Sequence, residues 1–214
     1  MERRDQVELM DDPSLPEELL AAAHRDLARV HRWLGNTAAL LALLRQGPEP
    51  VRSVLDIGCG RGALLEELRA ELGVEVVGFD LRPAPASAPV RILAGNAVVD
   101  PLPQADVALA VCLVHHLGEA EIVGLVRNVS RSCKRLIVLD LVRHRLPLTL
   151  FGIFAPLLLQ RINVADGLTS IRRAYTPEEL ARIVGEALRG ADAELVQCVA
   201  PGFTRQVLDI RWRA

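Results

Sequence analysis

A chain of 214 residues, half of them apolar and with a net charge of −2, is long enough to bury one large core, roughly 70% of its unfolded surface at this size. A pI near 6.2 provides no basic face for nucleic acid, and with only 3% aromatic residues the core must be built from Leu, Val, Ile and Ala. Cys59, Cys112, Cys133 and Cys198 form neither CxxC pairs nor a metal-ligand pattern, which points to reduced thiols, a cytoplasmic location and no metal.

The N-terminus MERRDQVELMDDP lacks the apolar segment of a signal peptide. Ser14 and Glu17 have capping-box spacing, and Leu19, Leu20, Ala23, Leu27, Val30 and Leu34 repeat with helical period. This predicts a helix over 15–34 that stops at Gly35. A second helix, capped by Asn36, runs through Leu44 to a stop at Gly47-Pro48. Residues 1–50 form an N-terminal helical lid, and 51–214 the main body of one structural domain.

Beyond the lid, strands at 52–57, 75–80, 90–93, 106–112 and 135–141 alternate with helices at 63–72 and 119–130, the pattern of a parallel sheet covered on both faces. A Pro/Ala loop at 83–89 reads as a surface connection. Between the fifth strand and a helix at 177–188, capped by Thr176 with Pro177 at its first position, lies an insertion, 144–175. Its first half, LPLTLFGIFAPLLL, is apolar on nearly every side. The run Leu146–Leu159 holds two prolines and is too short to span a bilayer. It is a buried helix, a lid over an apolar substrate, or a segment resting on a membrane as a peripheral contact. Strands at 193–199 and 203–210 follow without a helix between them and form an antiparallel pair. Monomer and homodimer are both compatible with the sequence.

The chain is organised around Val51–Gly62, VRSVLDIGCGRG, a strand, a glycine turn and a helix start that bring bare backbone up to a ligand. Gly58, Gly60, Gly62 and Ala63 satisfy the dinucleotide spacing, so an NAD(P)-dependent oxidoreductase must be weighed. Asp56, two residues before the first glycine, favours a different ligand: a carboxylate repels a diphosphate and attracts an ammonium or sulfonium. Asp80, at the tip of the second strand, is placed to accept ribose hydroxyls.

With these residues the chain resembles the class I S-adenosylmethionine-dependent methyltransferases. LDIGCGRG looks like their first motif, GFD their second and GNAVVDPLPQADVAL their third. The resemblance implies an α/β, Rossmann-like fold of three layers whose seven-stranded, mostly parallel sheet ends in an antiparallel strand. It also implies S-adenosyl-L-methionine as cofactor, S-adenosyl-L-homocysteine as product, and a donor site of Asp56, Gly58, Cys59, Gly60, Asp80, Leu81, Asn96, Ala97 and Cys112, with Arg32 as partner of the cofactor carboxylate. Asn96 stands where the family usually has Asp, and its amide oxygen keeps the acceptor. ELMDDP, ARVHRWLG and DGLTSIRRAYTPEEL resemble the ends of small bacterial methyltransferases associated with type III polyketide synthase genes, a branch in which the position of His31 is more often Asn.

Methyl transfer to a hydroxyl needs alignment and a base. His115 and His116 follow the fourth strand, at the ligand-binding edge of such sheets. Adjacent residues diverge by about 100°, so one of the two serves, and His115 is nearer the strand end. In the insertion Asp166, Ser170, Arg172, Arg173 and Tyr175 lie in the segment that in related folds crosses the top of the pocket, where an arginine is a candidate to pair with an acidic or phenolate acceptor, and at the other end Met10 with Asp11 and Asp12 are candidates to close the pocket. The expected acceptor is a small apolar, aromatic or phenolic molecule of polyketide or quinonoid type, methylated on oxygen or on a ring carbon. A binding protein without transfer activity is the alternative from another class.

Overall fold

The computed structural model describes residues 1–12, 14–47, 50–83 and 87–213. Pro48 of the Gly47-Pro48 stop, residues 84–86 of the 83–89 loop and the side chain of Asp11 lie outside them. Seven strands, β1 (Ser53–Ile57), β2 (Glu75–Asp80), β3 (Ile92–Ala94), β4 (Ala105–Val111), β5 (Cys133–Asp140), β6 (Ala193–Val199) and β7 (Gln206–Trp212), form one sheet. Its order is β3-β2-β1-β4-β5-β7-β6. The pairings from β3 through β5 are parallel, and β7 runs antiparallel to both β5 and β6. The expected Rossmann-like arrangement is thus the observed one.

Period-two alternation assigns each strand residue to a face. Leu55, Ile57, Ala108, Ala110, Leu136 and Val138 pack in one core, shared with α4 (Glu119–Val129) and α7 (Pro177–Ala187). Val54, Val107, Leu109, Ile137 and Leu139 pack in the other, against α2 (Asn36–Arg45) and α3 (Ala63–Leu72). The antiparallel strand is pinned by a buried two-pronged pair in which Arg135 Nε and a terminal nitrogen donate to the two oxygens of Asp209 at 2.7 and 2.8 Å. Such fork geometry fixes register as well as charge.

Several local expectations change. The first helix, α1, is Glu17–Trp33 and starts at Pro16 without a side-chain cap; the Ser14 hydroxyl donates to Asp12 instead. Asn36 is the first residue of α2 rather than its cap, because Gly35 takes the left-handed turn (φ 70°) between the two helices. The Asn36 amide donates to His31 Nδ1 at 3.0 Å, while its oxygen accepts from Arg205. Strand β7 begins at 206, not 203, because Pro201–Phe203 forms a 3-10 turn with Phe203 at φ 57°. Thr176 and Glu179 make the expected reciprocal cap.

The insertion is two helices, α5 (Arg145–Phe154) and α6 (Arg161–Arg173), joined through a 3-10 turn at Ala155–Leu157. One face of α5 is buried: Pro147 is enclosed, and Phe151 lies so close to Gly167 of α6 that a Cβ there would stand 2.4 Å from its ring. The other face is exposed, so α5 is not the buried helix that its composition allows.

Candidate active site

The first half of the site is the glycine turn between β1 and α3. Gly58, Gly60 and Gly62 all have left-handed φ, and a Cβ at Gly58 or Gly62 would press to 2.8 Å of Leu113 or 2.7 Å of Val90. Around Gly60 the only neighbour among the described residues within 4 Å of such a Cβ is the His24 ring of α1, at 3.7 Å. The Asp80 carboxylate accepts from Gly60 N at 2.8 Å and from Arg82 N at 2.9 Å. It thereby braces the turn and keeps further lone pairs for a ligand.

Asp56 is buried at the end of β1, and among the described residues its Oδ1 has no partner. Burial, with the charge of Asp80 added, pushes its carboxyl up to about 8. A buried carboxylate without a cation prefers its neutral form, and one that lacks a hydrogen-bond partner calls for an explanation. Bound cationic ligand is such an explanation.

The second half is the 3-10 turn Val114–His116 beyond β4, covered by the N-terminal strap and α6. His115 is buried. Its Nδ1 lies 2.7 Å from Asp140 Oδ1 at the end of β5, and its Nε2 lies 3.6 Å from Glu8 of the strap. Burial alone would lower its pKa, but Asp140 and Glu8 outweigh burial and raise it to about 9. Of the two candidates left open by the sequence, His115, held between two acids, is thus the less well placed to take a proton. The His116 ring lies against it, with centroids 4.2 Å apart, and is more open to solvent. Its Nδ1 faces an Arg173 terminal nitrogen at 3.5 Å and its Nε2 faces Glu8 at 3.7 Å. A guanidinium only donates, so in this contact Nδ1 is the acceptor. Buried Arg173 leaves its Nε without a partner among the described residues.

A model of the family described as "Methyltransferase domain" matches residues 24–166. The chain belongs to that family. No curated protein matches it in a sequence search. Solved structures share the fold. The plantazolicin methyltransferase BpumL in complex with a triazolic desmethylPZN analog and SAH superposes with a TM-score of 0.68 at 13% identity, over 95% of this chain and 93% of that one. Human N-acetylserotonin methyltransferase in complex with SAM gives 0.61 at 18%, and an O-methyltransferase family 2 protein from Planctomyces limnophilus in complex with apigenin gives 0.62 at 18%. The methyltransferase chain spans 64% and 63% of the length of those two.

The donor set of the glycine turn fits the cofactor of this family: a buried acid whose Oδ1 has no partner among the described residues for a cation, Gly58 and Gly62 where a Cβ would intrude, and a braced acid for ribose. Leu81 is an exposed apolar side chain beside Asp80. Asn96 is exposed, and its Oδ1 accepts from Val98 N at 3.0 Å, which leaves one lone pair for a ligand. Ala97 follows it, its carbonyl held by Asn128. Cys112 closes β4 at φ 50°, with burial raising its thiol far above the ordinary value; Cys59 is raised by burial and by Asp56 and Asp80.

Three expected contacts are replaced. Arg32 is largely exposed and pairs with Glu67 of α3 at 3.9 Å; the α1 side chain at the glycine turn is His24, whose pKa is lowered by burial and by Arg61 and Arg82. Tyr175 is a core residue, its hydroxyl donating to Leu117 O at 2.7 Å beneath Arg3, so it shapes the turn rather than touching an acceptor. Arg172 folds back onto Leu168 O of its own helix. Met10 is tied on both sides: its N–H donates to Asp166 and its carbonyl accepts from Arg82. Asp12 is exposed and turns to Ser14.

Glu8, His24 and Asp140 are residues that sequence reasoning missed. Only Asp140 had a signal: like Asp56, it is a carboxylate at the carboxyl end of a parallel strand. Glu8, His115 and His116 offer ligand atoms within 4.8 Å of one another, but the Arg173 guanidinium against His116 suits a cation poorly. The cluster is better described as a charge-paired network.

Proposed function

We propose that this methyltransferase uses S-adenosylmethionine to methylate an oxygen of a small apolar acceptor, aromatic or phenolic and of polyketide or quinonoid type, leaving S-adenosylhomocysteine. The observation that carries the donor is buried Asp56, whose Oδ1 has no partner among the described residues, beside the Asp80-braced glycine turn. The cofactor, when bound, supplies an electrophilic methyl group. Asp56 receives its cationic end, Asp80 its ribose and the Asn96 loop its base.

The acceptor reading rests on His116 and Arg173. The Nε–H of Arg173, without a partner among the described residues, favours a phenolate over a phenol by charge and hydrogen bonding, and His116 Nδ1 takes the hydroxyl proton once the entering acceptor draws the Arg173 N–H from Nδ1 onto its own oxygen. Glu8 on the Nε2 side steadies the imidazolium that forms. His115 works at one remove, its backbone carbonyl and that of Leu117 being tied to Arg3 of the strap.

Calorimetry with S-adenosylhomocysteine, alongside transfer of labelled methyl to a panel of phenols, tests both parts. Wild type is expected to bind near neutral pH with release of a proton from Asp56, seen as a buffer-dependent enthalpy. Asp56→Asn should abolish that release and weaken binding by roughly 100-fold, the scale of removing one partner from a buried charge pair. His116→Ala should lose transfer and keep binding. Binding that is unchanged in Asp56→Asn overturns the donor assignment, and full turnover in His116→Ala overturns the base.

A further inference from the structure

The exposed face of α5 has no role in the site. Leu146, Leu150, Ile153, Phe154 and Leu157 follow one another at helical spacing on that face, and Leu158 continues the ridge. Ile153 and Phe154 are more than half exposed, Leu157 is 78% exposed and Leu158 61%. Scattered exposed leucines need no explanation, but a contiguous apolar ridge does.

Charge identifies what covers it. Exposed Arg145 and Arg161 bracket the ridge, and no Asp or Glu occurs between Asp140 and Asp166. Asp140 is buried on His115, and the Asp166 oxygens accept from Leu9 N and Met10 N. The Pro201–Phe203 turn, joined to α5 by the His144–Phe203 ring stack at 4.1 Å, adds apolar Phe203 and no acid. Asp26, which reaches the start of α6 at Gln160 N, is buried and paired with Arg29. A second copy meeting this ridge about a two-fold axis would bring arginine against arginine with no carboxylate to pair them. An anionic bilayer supplies both the apolar medium and the counter-charge.

We propose that the α5 ridge lies in the interface of a membrane containing anionic phospholipid. No described helix is long and apolar enough to cross a membrane, so the helix rests in the surface with Leu150, Ile153, Phe154 and Leu157 in the acyl boundary and the arginines among the headgroups. That orientation places the insertion, whose other helix carries Arg173, beside a reservoir of apolar molecules.

Co-sedimentation of the full chain with vesicles of phosphatidylcholine, or of phosphatidylcholine mixed with phosphatidylglycerol, tests this. Wild type should bind the anionic vesicles on the order of tenfold more tightly than the neutral ones, an advantage that two arginines near the surface supply and that salt erodes. Ile153→Ser with Phe154→Ser and Leu157→Ser should abolish vesicle binding with an unchanged thermal melt. Arg145→Gln with Arg161→Gln should remove only the preference for anionic vesicles. Absence of vesicle binding, equal binding to both compositions, or binding that survives the triple substitution overturns the proposal. So does a sedimentation-velocity dimer lost in the triple variant in place of vesicle binding, which makes the ridge an interface between copies.

Discussion

At the donor edge, most of the groups lie within Asp56–Arg82, with the Asn96 loop beyond them, and they are set by backbone: left-handed glycines, a carboxylate at a strand end and two N–H bonds to Asp80. Across the sheet edge, the acceptor half is set by side chains that meet from far apart in the chain. Arg3 reaches His115 O and Leu117 O, Ser170 donates to Glu8 at 2.7 Å, Asp166 holds Leu9 and Met10, and Arg143 holds Met1 O. The first kind of site tolerates little change in the backbone and the second little change in partners. A fold can therefore keep its donor chemistry while the strap and insertion are rebuilt for another acceptor.

Among substitutions, the largest effect on stability expected from this contrast is at a glycine outside the turn itself. A Cβ at Gly78 of β2 would stand 2.4 Å from Cys59 Sγ and 3.0 Å from Ile92. Gly78→Ala should cost about 1–3 kcal/mol through overpacking and shift the Cys59 segment against which the donor rests. Thermal melts and S-adenosylhomocysteine affinity should fall together. A destabilised protein with intact affinity would break the claim that backbone packing sets this half.

That half was legible in the sequence because its information is local. Glycine spacing, Asp56 and Asp80 sit in consecutive elements, and alternating apolar residues assign the faces of every central strand. The acceptor half was not. Whether Tyr175 points into the core or Arg32 toward the turn depends on the angle at which a helix meets the sheet, and a lone Glu8 in a polar N-terminus resembles any solvated acid until the strap folds across His115. Helix α5 escaped for a related reason: with apolar residues on both faces, periodicity cannot say which one is covered.

A smaller, more local effect is expected at Asp166, whose two oxygens accept from Leu9 N and Met10 N at 2.7 and 2.8 Å. Asp166→Asn keeps one acceptor and sets an amide donor against the other N–H. It should free the strap at a cost of about 1–2 kcal/mol, charge-assisted bonds being the stronger kind. Hydrogen exchange should quicken over residues 1–12 and leave β1, β4 and β5 protected. Loss of protection across the sheet would show that the two halves are not separable.

The sharpest separation of the two halves, and one that needs no substitution, is in the pH dependence of stability. Asp56 has its pKa raised to about 8 in the folded chain against an unfolded value near 4. It holds a proton that the unfolded chain has lost, so stability falls as pH rises from about 4 to about 8. His115, raised to about 9 from an ordinary 6.5, contributes stability that is fully present below about 6.5 and is lost as pH rises through about 9. Both slopes have the same sign, but they belong to different halves and answer to different partners. Saturating S-adenosylhomocysteine gives Asp56 its cation and should flatten the lower part of the curve. The loss between about 6.5 and 9 should remain with ligand bound and shrink in Glu8→Gln, which removes one of the two carboxylates holding the His115 proton. Melting curves from pH 5 to about 10, within the range set by these groups, separate the two. If ligand removes the upper slope as well, the imidazolium and the donor carboxylate act as one electrostatic unit, and the acceptor half is tuned by the donor that it faces.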